Sequence, residues 1–288
     1  MYYEIIDHIT KSITSGTQKA ESNLDNLRIE KLVNFWKKSP TWLITFNYDI
    51  LIEKMLEKYY SHDNWYNYWN LPLIDISDRS NSDTGMIWES TGETSRRPEI
   101  ILSKLHGSIN WYRSKHNPSA NEPIYYDGKQ SYNNHIRTNM KCLKPFIIPP
   151  SIEKSSFLNH DILNVIWELA KNQLSGDSKL YIIGYSFPVT DVYINLLFDI
   201  CMNKSKEIII VNSDNSDTFK NRMNEYFRKY GIVPDLKYVK KENAINDFID
   251  EIKAHRRTKL TRGVRSTSLG LAAHCAKRHA TSNKQDVI

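Results

Sequence analysis

The chain lacks the features of a secreted, membrane-spanning or cysteine-stabilised protein. Its 288 residues include three cysteines, Cys142, Cys201 and Cys275, and no CxxC pair. This spacing indicates neither a disulfide framework nor a cysteine zinc cluster. No apolar run approaches the roughly 20 residues that span a bilayer, and the first residues do not form a basic segment leading into a secretory core. We therefore expect a cytoplasmic protein, not membrane-bound, that holds no zinc or other metal.

Glycine is also scarce. The chain has ten glycines, and no two of them lie within five residues of each other. A glycine-rich loop of the GxGxxG or GAG type, whose backbone amides meet a pyrophosphate at a helix N-terminus, needs closely spaced glycines. The chain therefore contains no such loop.

The net charge of +6 comes from the C-terminal tail. From Arg256 onward there are eight Lys and Arg residues against one acid, and the rest of the chain has 31 basic and 32 acidic residues. Because residues 256–288 also lack a periodic apolar pattern, they are predicted to be a basic, disordered tail that takes no part in the fold. Nucleic-acid binding through this tail is a disfavoured alternative.

Helix and strand patterns alternate along the chain. Predicted helices cover residues 3–15, 23–38, 49–60, 158–174, 191–202, 216–230 and 242–254. Predicted strands cover residues 41–48, 99–105, 146–148, 180–183, 207–211 and 236–239. This alternation is typical of βαβ units and predicts an α/β fold with a Rossmann-like parallel sheet flanked by helices. One domain is expected over residues 1–255, with loop-rich or helical insertions at about 61–98 and 112–145.

Polar or small residues follow four of the predicted strands. Since the carboxyl ends of parallel strands lie on one edge of a sheet, these residues are expected to form a ligand site there. A simpler interpretation is that Asn47 and Asp49 only cap the following helix. The residues are Asn47 and Asp49, then His106 and Ser108, then Gly184 and Ser186, and finally Asn212.

The motifs TFNYD, KLHGSINW, IIPPS, IIGYSFPVTD and IVNSD, in this order, resemble the Sir2-like domain. The resemblance is closest to the bacterial branch that degrades NAD in antiphage defence, and it covers roughly residues 41–215. It implies that NAD is the substrate, with NAD or ADP-ribose bound at the sheet edge. It also implies a homo-oligomer or a defence-system partner protein. The family begins with a glycine-rich βα unit, so the resemblance describes a Sir2-like fold that is incomplete at its N-terminus.

The resemblance also assigns roles to residues. His106 matches the catalytic histidine, and Asn47 and Asp49 match the pair beside the nicotinamide ribose. The residues that the resemblance places at the cofactor are Thr45, Gly107, Ser108, Gly184, Tyr185, Ser186, Asp191 and Asn212. Among these, Asp191 has an alternative role as the N-terminal residue of a helix.

These residue types suit cleavage of the bond between nicotinamide and ribose. The reaction passes through an oxocarbenium-like centre, as glycoside hydrolysis does, and needs a base that titrates near neutrality. A histidine such as His106 meets that need. Asn47 can orient a water or the ribose hydroxyls, and an ionised Asp49 favours developing positive charge.

Two functions from different classes remain open. The first is an NAD glycohydrolase of antiphage defence. The second is a catalytically degenerate Sir2-like module that binds a nucleotide or a partner. NAD-dependent deacylation is disfavoured, because the paired CxxC zinc motifs of sirtuin deacetylases are absent.

Overall fold

A computed structural model of the chain describes residues 2–22, 25–60, 65–66, 73–75, 100–114, 122–127, 143–148, 160–176, 179–204, 206–240, 246–250 and 269–273. The helices are α1 (Tyr2–Ser22), α2 (Asn26–Trp36), α3 (Leu51–Tyr59), α4 (Asp161–Ser175), α5 (Val192–Cys201), α6 (Asp217–Arg228) and α7 (residues 246–250). Across these residues, no helix has the length and apolar character needed to cross a bilayer.

The strands are β1 (Thr41–Thr45), β2 (Trp65–Tyr66), β3 (Leu73–Asp75), β4 (Ile100–Lys104), β5 (Gly107–Ser114), β6 (Ile124–Tyr126), β7 (Leu143–Ile147), β8 (Lys179–Ile183), β9 (Ile208–Asn212), β10 (Asp235–Tyr238) and β11 (Leu269–Ala273). In the described part of the chain they form a seven-stranded and a four-stranded sheet.

The larger sheet has the order β10-β9-β8-β11-β1-β4-β2, and every neighbouring pair in it is parallel. The prediction of an α/β fold with a parallel sheet flanked by helices is therefore confirmed. The carboxyl ends of β1, β4, β8 and β9 consequently lie on the same edge of the sheet.

A strand from the C-terminal tail lies in the middle of this sheet. β11 pairs with β1 on one side and with β8 on the other, and Leu271 lies in register with Leu43 and with Tyr181. The expectation that residues 256–288 take no part in the fold is therefore wrong for residues 269–273. A five-residue strand carries too little periodicity to stand out, and its place is set by the backbone groups that β1 and β8 present to it.

Alternating side chains of the parallel strands enter two cores, one on each face of the sheet. Trp42, Ile44, Ile182 and Ile210 pack on one face, with buried residues of α4, α5 and α6. On the other face, Leu43, Leu102, Tyr181 and Ile209 pack with buried residues of α2, α3 and α7. Each strand of this part of the sheet is thus apolar on both faces, as expected of a parallel sheet covered on both sides.

The smaller sheet has the order β3-β6-β5-β7, and β5 is antiparallel to both β6 and β7. The strand predicted at 146–148 therefore belongs to this sheet and not to the parallel one. The intervals predicted to be loop-rich or helical, 61–98 and 112–145, contribute β2, β3, β6 and parts of β5 and β7. These strands are short and separated by polar residues, although Trp111 and Ile124 within them are fully buried.

The N-terminal helix packs beside the loop that follows β1. Ile6 of α1 lies in one core cluster with Tyr48, Ile109 and Ile147. The Lys144 ammonium of β7 also lies 2.8 Å from the Asp7 carboxylate of α1. Helix α1 therefore connects the smaller sheet to the edge of the larger one.

Candidate functional site

Thr45, the last residue of β1, holds the start of the following loop. Its hydroxyl oxygen Oγ1 accepts a hydrogen bond from the backbone N–H of Asn47 at 3.1 Å. The backbone N–H of Leu105 donates to the Thr45 carbonyl at 3.0 Å. Thr45 thus fixes the backbone that carries Asn47 and joins it to the end of β4, and the Asn47 side chain is buried, with 8% of it exposed.

Asp49 lies where this loop enters α3. Its Oδ1 accepts a hydrogen bond from the backbone N–H of Leu51 at 3.0 Å, so the carboxylate does stabilise the first turn of the helix. Burial raises the pKa of Asp49, the nearby Lys104 ammonium opposes that rise, and Glu53 adds to it. Asp49 thus contacts the first turn of α3 from the position before the N-cap residue, which is Ile50.

His106 lies between β4 and β5 and is buried, with 6% of it exposed. The centre of its ring is 5.7 Å from the ring of Phe46 and 6.2 Å from the ring of Tyr48. Its backbone carbonyl accepts a hydrogen bond from the N–H of Ile148 at 2.9 Å. His106 is thus placed directly against the two aromatic residues of the loop that carries Asn47.

The residues after His106 are held just as tightly. Gly107 has a φ of +77°, and a Cβ atom added there would lie 2.2 Å from the carbonyl oxygen of Phe146. Only glycine fits both the conformation and the space. The hydroxyl of Ser108 is fully buried and donates a hydrogen bond to Asn110 Oδ1 at 2.5 Å.

The loop after β8 contributes Gly184, Tyr185, Ser186 and, beyond it, Asp191. Gly184 has a φ of +69°, and its N–H donates to the carbonyl of Val211 in β9 at 2.8 Å. The Tyr185 hydroxyl donates to Asp191 Oδ2 at 2.9 Å. Asp191 stands at the N-cap position of α5, yet its side chain makes no cap hydrogen bond. Asp191 is thus the N-terminal residue of the helix, as its alternative role predicts, while its carboxylate accepts the hydrogen bond of Tyr185. Ser186 in the same loop is partly buried.

Asp191 also acts on a second tyrosine. Burial raises the pKa of Tyr185 and that of Tyr48, and in both cases the Asp191 carboxylate raises it further. Asp191 therefore lies close enough to the loop after β1 to affect it electrostatically. Both phenols remain protonated and able to donate a hydrogen bond.

Asn212 takes no part in these contacts. Its Oδ1 accepts a hydrogen bond from the N–H of Asp214 at 3.0 Å, and its carbonyl accepts one from Val239 at 3.0 Å. Both contacts fix the turn at the end of β9. Asn212 thus lies on the predicted sheet edge, but on the far side of β8 from His106.

Three residues that the sequence did not single out organise the site. Phe46 contacts both His106 and Tyr185, with its ring 4.9 Å from the Tyr185 ring. Lys104 and Glu53 form a fully buried ion pair beneath the loop after β1. One available signal was the charge of Lys104 at the end of a strand that begins with three apolar residues.

Together these features define an α/β protein with a polar and aromatic cluster at the carboxyl edge of a parallel sheet. Within the described ranges, no group of three or more His, Cys, Asp or Glu side chains is arranged to hold a metal ion. No model of a known protein family matches the chain, and no curated protein matches it either.

Proposed function

We propose that the chain is a Sir2-like NAD glycohydrolase that acts in the bacterial cytoplasm and depletes NAD in antiphage defence. One observation carries this proposal. His106, at the end of β4, lies against Phe46 and Tyr48 of the loop that presents Asn47 at the end of β1. A histidine and an asparagine amide on adjacent strand ends are the groups that this hydrolysis needs.

In the proposed reaction, water attacks the anomeric carbon of the nicotinamide ribose as the bond to nicotinamide breaks. Nicotinamide leaves with the bonding electron pair, and His106 takes the proton of the attacking water. Asn47 orients the water or the ribose hydroxyls. The Asp49 carboxylate, held by the N–H of Leu51, stabilises the positive charge that develops on the ribose.

The remaining residues are assigned to binding. Thr45, Gly107 and Ser108 shape the nicotinamide-ribose end, where their hydrogen bonds and conformations fix the backbone. Tyr185, with Gly184, Ser186 and Asp191, is proposed to bind the second ribose and the phosphates. Asn212, one strand further along the edge, is proposed to lie at the adenosine end.

The test is NAD turnover by the purified chain, followed by chromatography of the products. We expect nicotinamide and ADP-ribose in equal amounts. We also expect the rate to fall by at least about 100-fold in His106→Ala and in Asn47→Ala. The exposed His8 of α1 provides the control, because His8→Ala removes a solvent-exposed imidazole that has no part in the proposed reaction. A folded His106→Ala variant with the wild-type rate would overturn the proposal.

A second candidate function is a Sir2-like module that binds a nucleotide without cleaving it. Two observations favour it, and they concern the position beside β1 in the sheet and the spacing of the glycines. That place is filled by β11, and nowhere in the chain are two glycines close enough to form a phosphate loop. Calorimetry distinguishes the two candidates, since ADP-ribose binding without any NAD turnover supports the module. A homo-oligomer or a defence-system partner fits either candidate.

A further inference from the structure

The loop after β1 is joined to β4 by a buried ammonium group. Lys104 is the last residue of β4, and its side chain is fully buried, as is that of Glu53 in α3. Its Nζ lies 2.8 Å from Glu53 Oε1 and also donates a hydrogen bond to the backbone carbonyl of Asp49. Lys104 therefore links three parts of the structure: strand β4, helix α3 and the loop between β1 and α3.

The buried ion pair contributes more to the relative position of these segments than to the stability of the fold. Removing two charges from water costs about as much as their attraction returns, and a packed apolar pair of similar size is often equally stable. Lys104, however, lies two residues before His106 on the same stretch of chain. The segment that carries His106 thus also holds the loop that carries Asn47 and Asp49.

We propose that Lys104 is a positioning residue, which holds the Asn47–Asp49 loop in register with His106 through Glu53 and the Asp49 carbonyl. This inference rests on the proposed function, in which these groups act on one substrate. Without Lys104, helix α3 and the Asp49 carbonyl lose this attachment to β4, and the hydrogen bond from the Leu105 N–H to the Thr45 carbonyl holds only the start of the loop. The Asn47 amide would then sample several positions relative to the His106 ring.

Lys104 also acts on the charge of Asp49. The ionisable groups that face Asp49 are Lys104 of β4 and Glu53 of α3. Burial raises the pKa of Asp49, Lys104 lowers it, and Glu53 raises it. When Lys104 and Glu53 are both replaced, the two losses act on the pKa of Asp49 in opposite directions. Because Lys104 has the larger effect, the pKa is expected to rise and the acidic limb of the pH–rate profile to move to higher pH.

The experiment compares a single and a double variant. Lys104→Met removes the ammonium that lies 2.8 Å from the buried Glu53 carboxylate and is expected to unfold the chain or lower its Tm markedly. Lys104→Met/Glu53→Leu removes both charges and is expected to restore folding. The control double variant is Lys179→Met/Glu207→Leu, which removes the 2.8 Å ion pair between the start of β8 and the residue before β9.

We expect the Lys104→Met/Glu53→Leu variant to fold with a kcat about 100-fold below wild type, a smaller change in KM and a shifted acidic limb. The control double variant is expected to keep the wild-type kcat and pH profile. A folded Lys104→Met/Glu53→Leu variant with wild-type kcat and pH profile would overturn the positioning role.

A readout that needs no turnover separates this inference from the proposed function. Amide hydrogen exchange of Asn47 and Leu51 reports the order of the loop directly. We expect both amides to exchange faster in Lys104→Met/Glu53→Leu than in wild type, even if the wild type cleaves no NAD. Unchanged exchange at both amides would refute the role of Lys104, whether or not the protein is an enzyme.

Discussion

The ring of Phe46 lies 4.9 Å from the ring of Tyr185, although their strands, β1 and β8, are separated by β11. The contact joins the loops after β1 and β8 across the width of one strand. Phe46 also touches His106, so one buried side chain connects three strand ends. Changes at any of these strand ends are therefore expected to affect the others.

Gly107→Ala is expected to destabilise the protein. The new Cβ would lie 2.2 Å from the Phe146 carbonyl oxygen at a φ of +77°, so both the backbone and its neighbour must shift. We expect a loss of about 2 kcal/mol or more in the free energy of unfolding, measured with urea. Gly176→Ala is the matched control, because its nearest atom lies at 3.6 Å and its φ is −69°. Equal effects at the two glycines would contradict the prediction.

Tyr185→Phe is expected to weaken nucleotide binding while the core stays packed. The substitution keeps the ring that contacts Phe46 and removes the hydroxyl that donates to Asp191. Loss of this hydrogen bond should cost about 1 kcal/mol of stability and lower the affinity for ADP-ribose in calorimetry. Tyr230→Phe is the control, because its hydroxyl donates to the exposed Asp199 at the surface. An unchanged affinity in Tyr185→Phe would argue against a binding role for this pair.

His160 is expected to make stability fall in mild acid. Burial, and then the Arg113 guanidinium, lower the pKa of His160 in the folded chain. As the pH falls through about 6.5, the unfolded chain therefore binds a proton that the folded chain does not, and unfolding is favoured. His160→Gln removes the titrating imidazole and with it this difference in proton binding. Wild type should therefore lose more stability than the variant between about pH 7.5 and about pH 5.5. Urea midpoints across this range test it, and parallel curves would contradict it.

Leu271→Pro is expected to disrupt the larger sheet. Leu271 is the middle residue of β11, with β1 and β8 in register on its two sides, and proline cannot donate a ladder hydrogen bond. We expect a loss of about 3 kcal/mol or more, measured by urea unfolding, and a similar loss on deletion of residues 256–288. Ser282→Pro, in the same tail but outside β11, is the control. A deleted chain with wild-type stability would show that the sheet does not need β11.

The parallel sheet was predictable because its strands are locally distinctive. The apolar runs that end at Thr45, Lys104, Ile183 and Asn212 were found within a few residues of their bounds. The helices between them follow from apolar residues at helical spacing. The four strand ends share one edge, because strands joined through helices run parallel. The roles of the residues at that edge remain predictions.

The smaller sheet and the centre of the larger one could not be predicted in the same way. β6 has only three residues, Ile124–Tyr126, and its burial depends on strands elsewhere in the chain. β11 lies in a basic tail that has no apolar periodicity, yet its backbone fits between two strands that had no other neighbour there. Pairings between distant segments leave little trace in the local pattern of either one.

The sequence by itself determined which polar residues stand at the ends of the parallel strands, because the apolar run of a strand and the polar residue that follows it are both local features of the chain. Only the tertiary structure decided which side chains these residues contact. His106 packs against Phe46, Phe46 packs against Tyr185, and Lys104 contacts Asp49 and Glu53. The physical reason is that strand order and loop packing result from long-range contacts between side chains far apart in the chain. Such contacts are fixed only when the whole sheet is assembled.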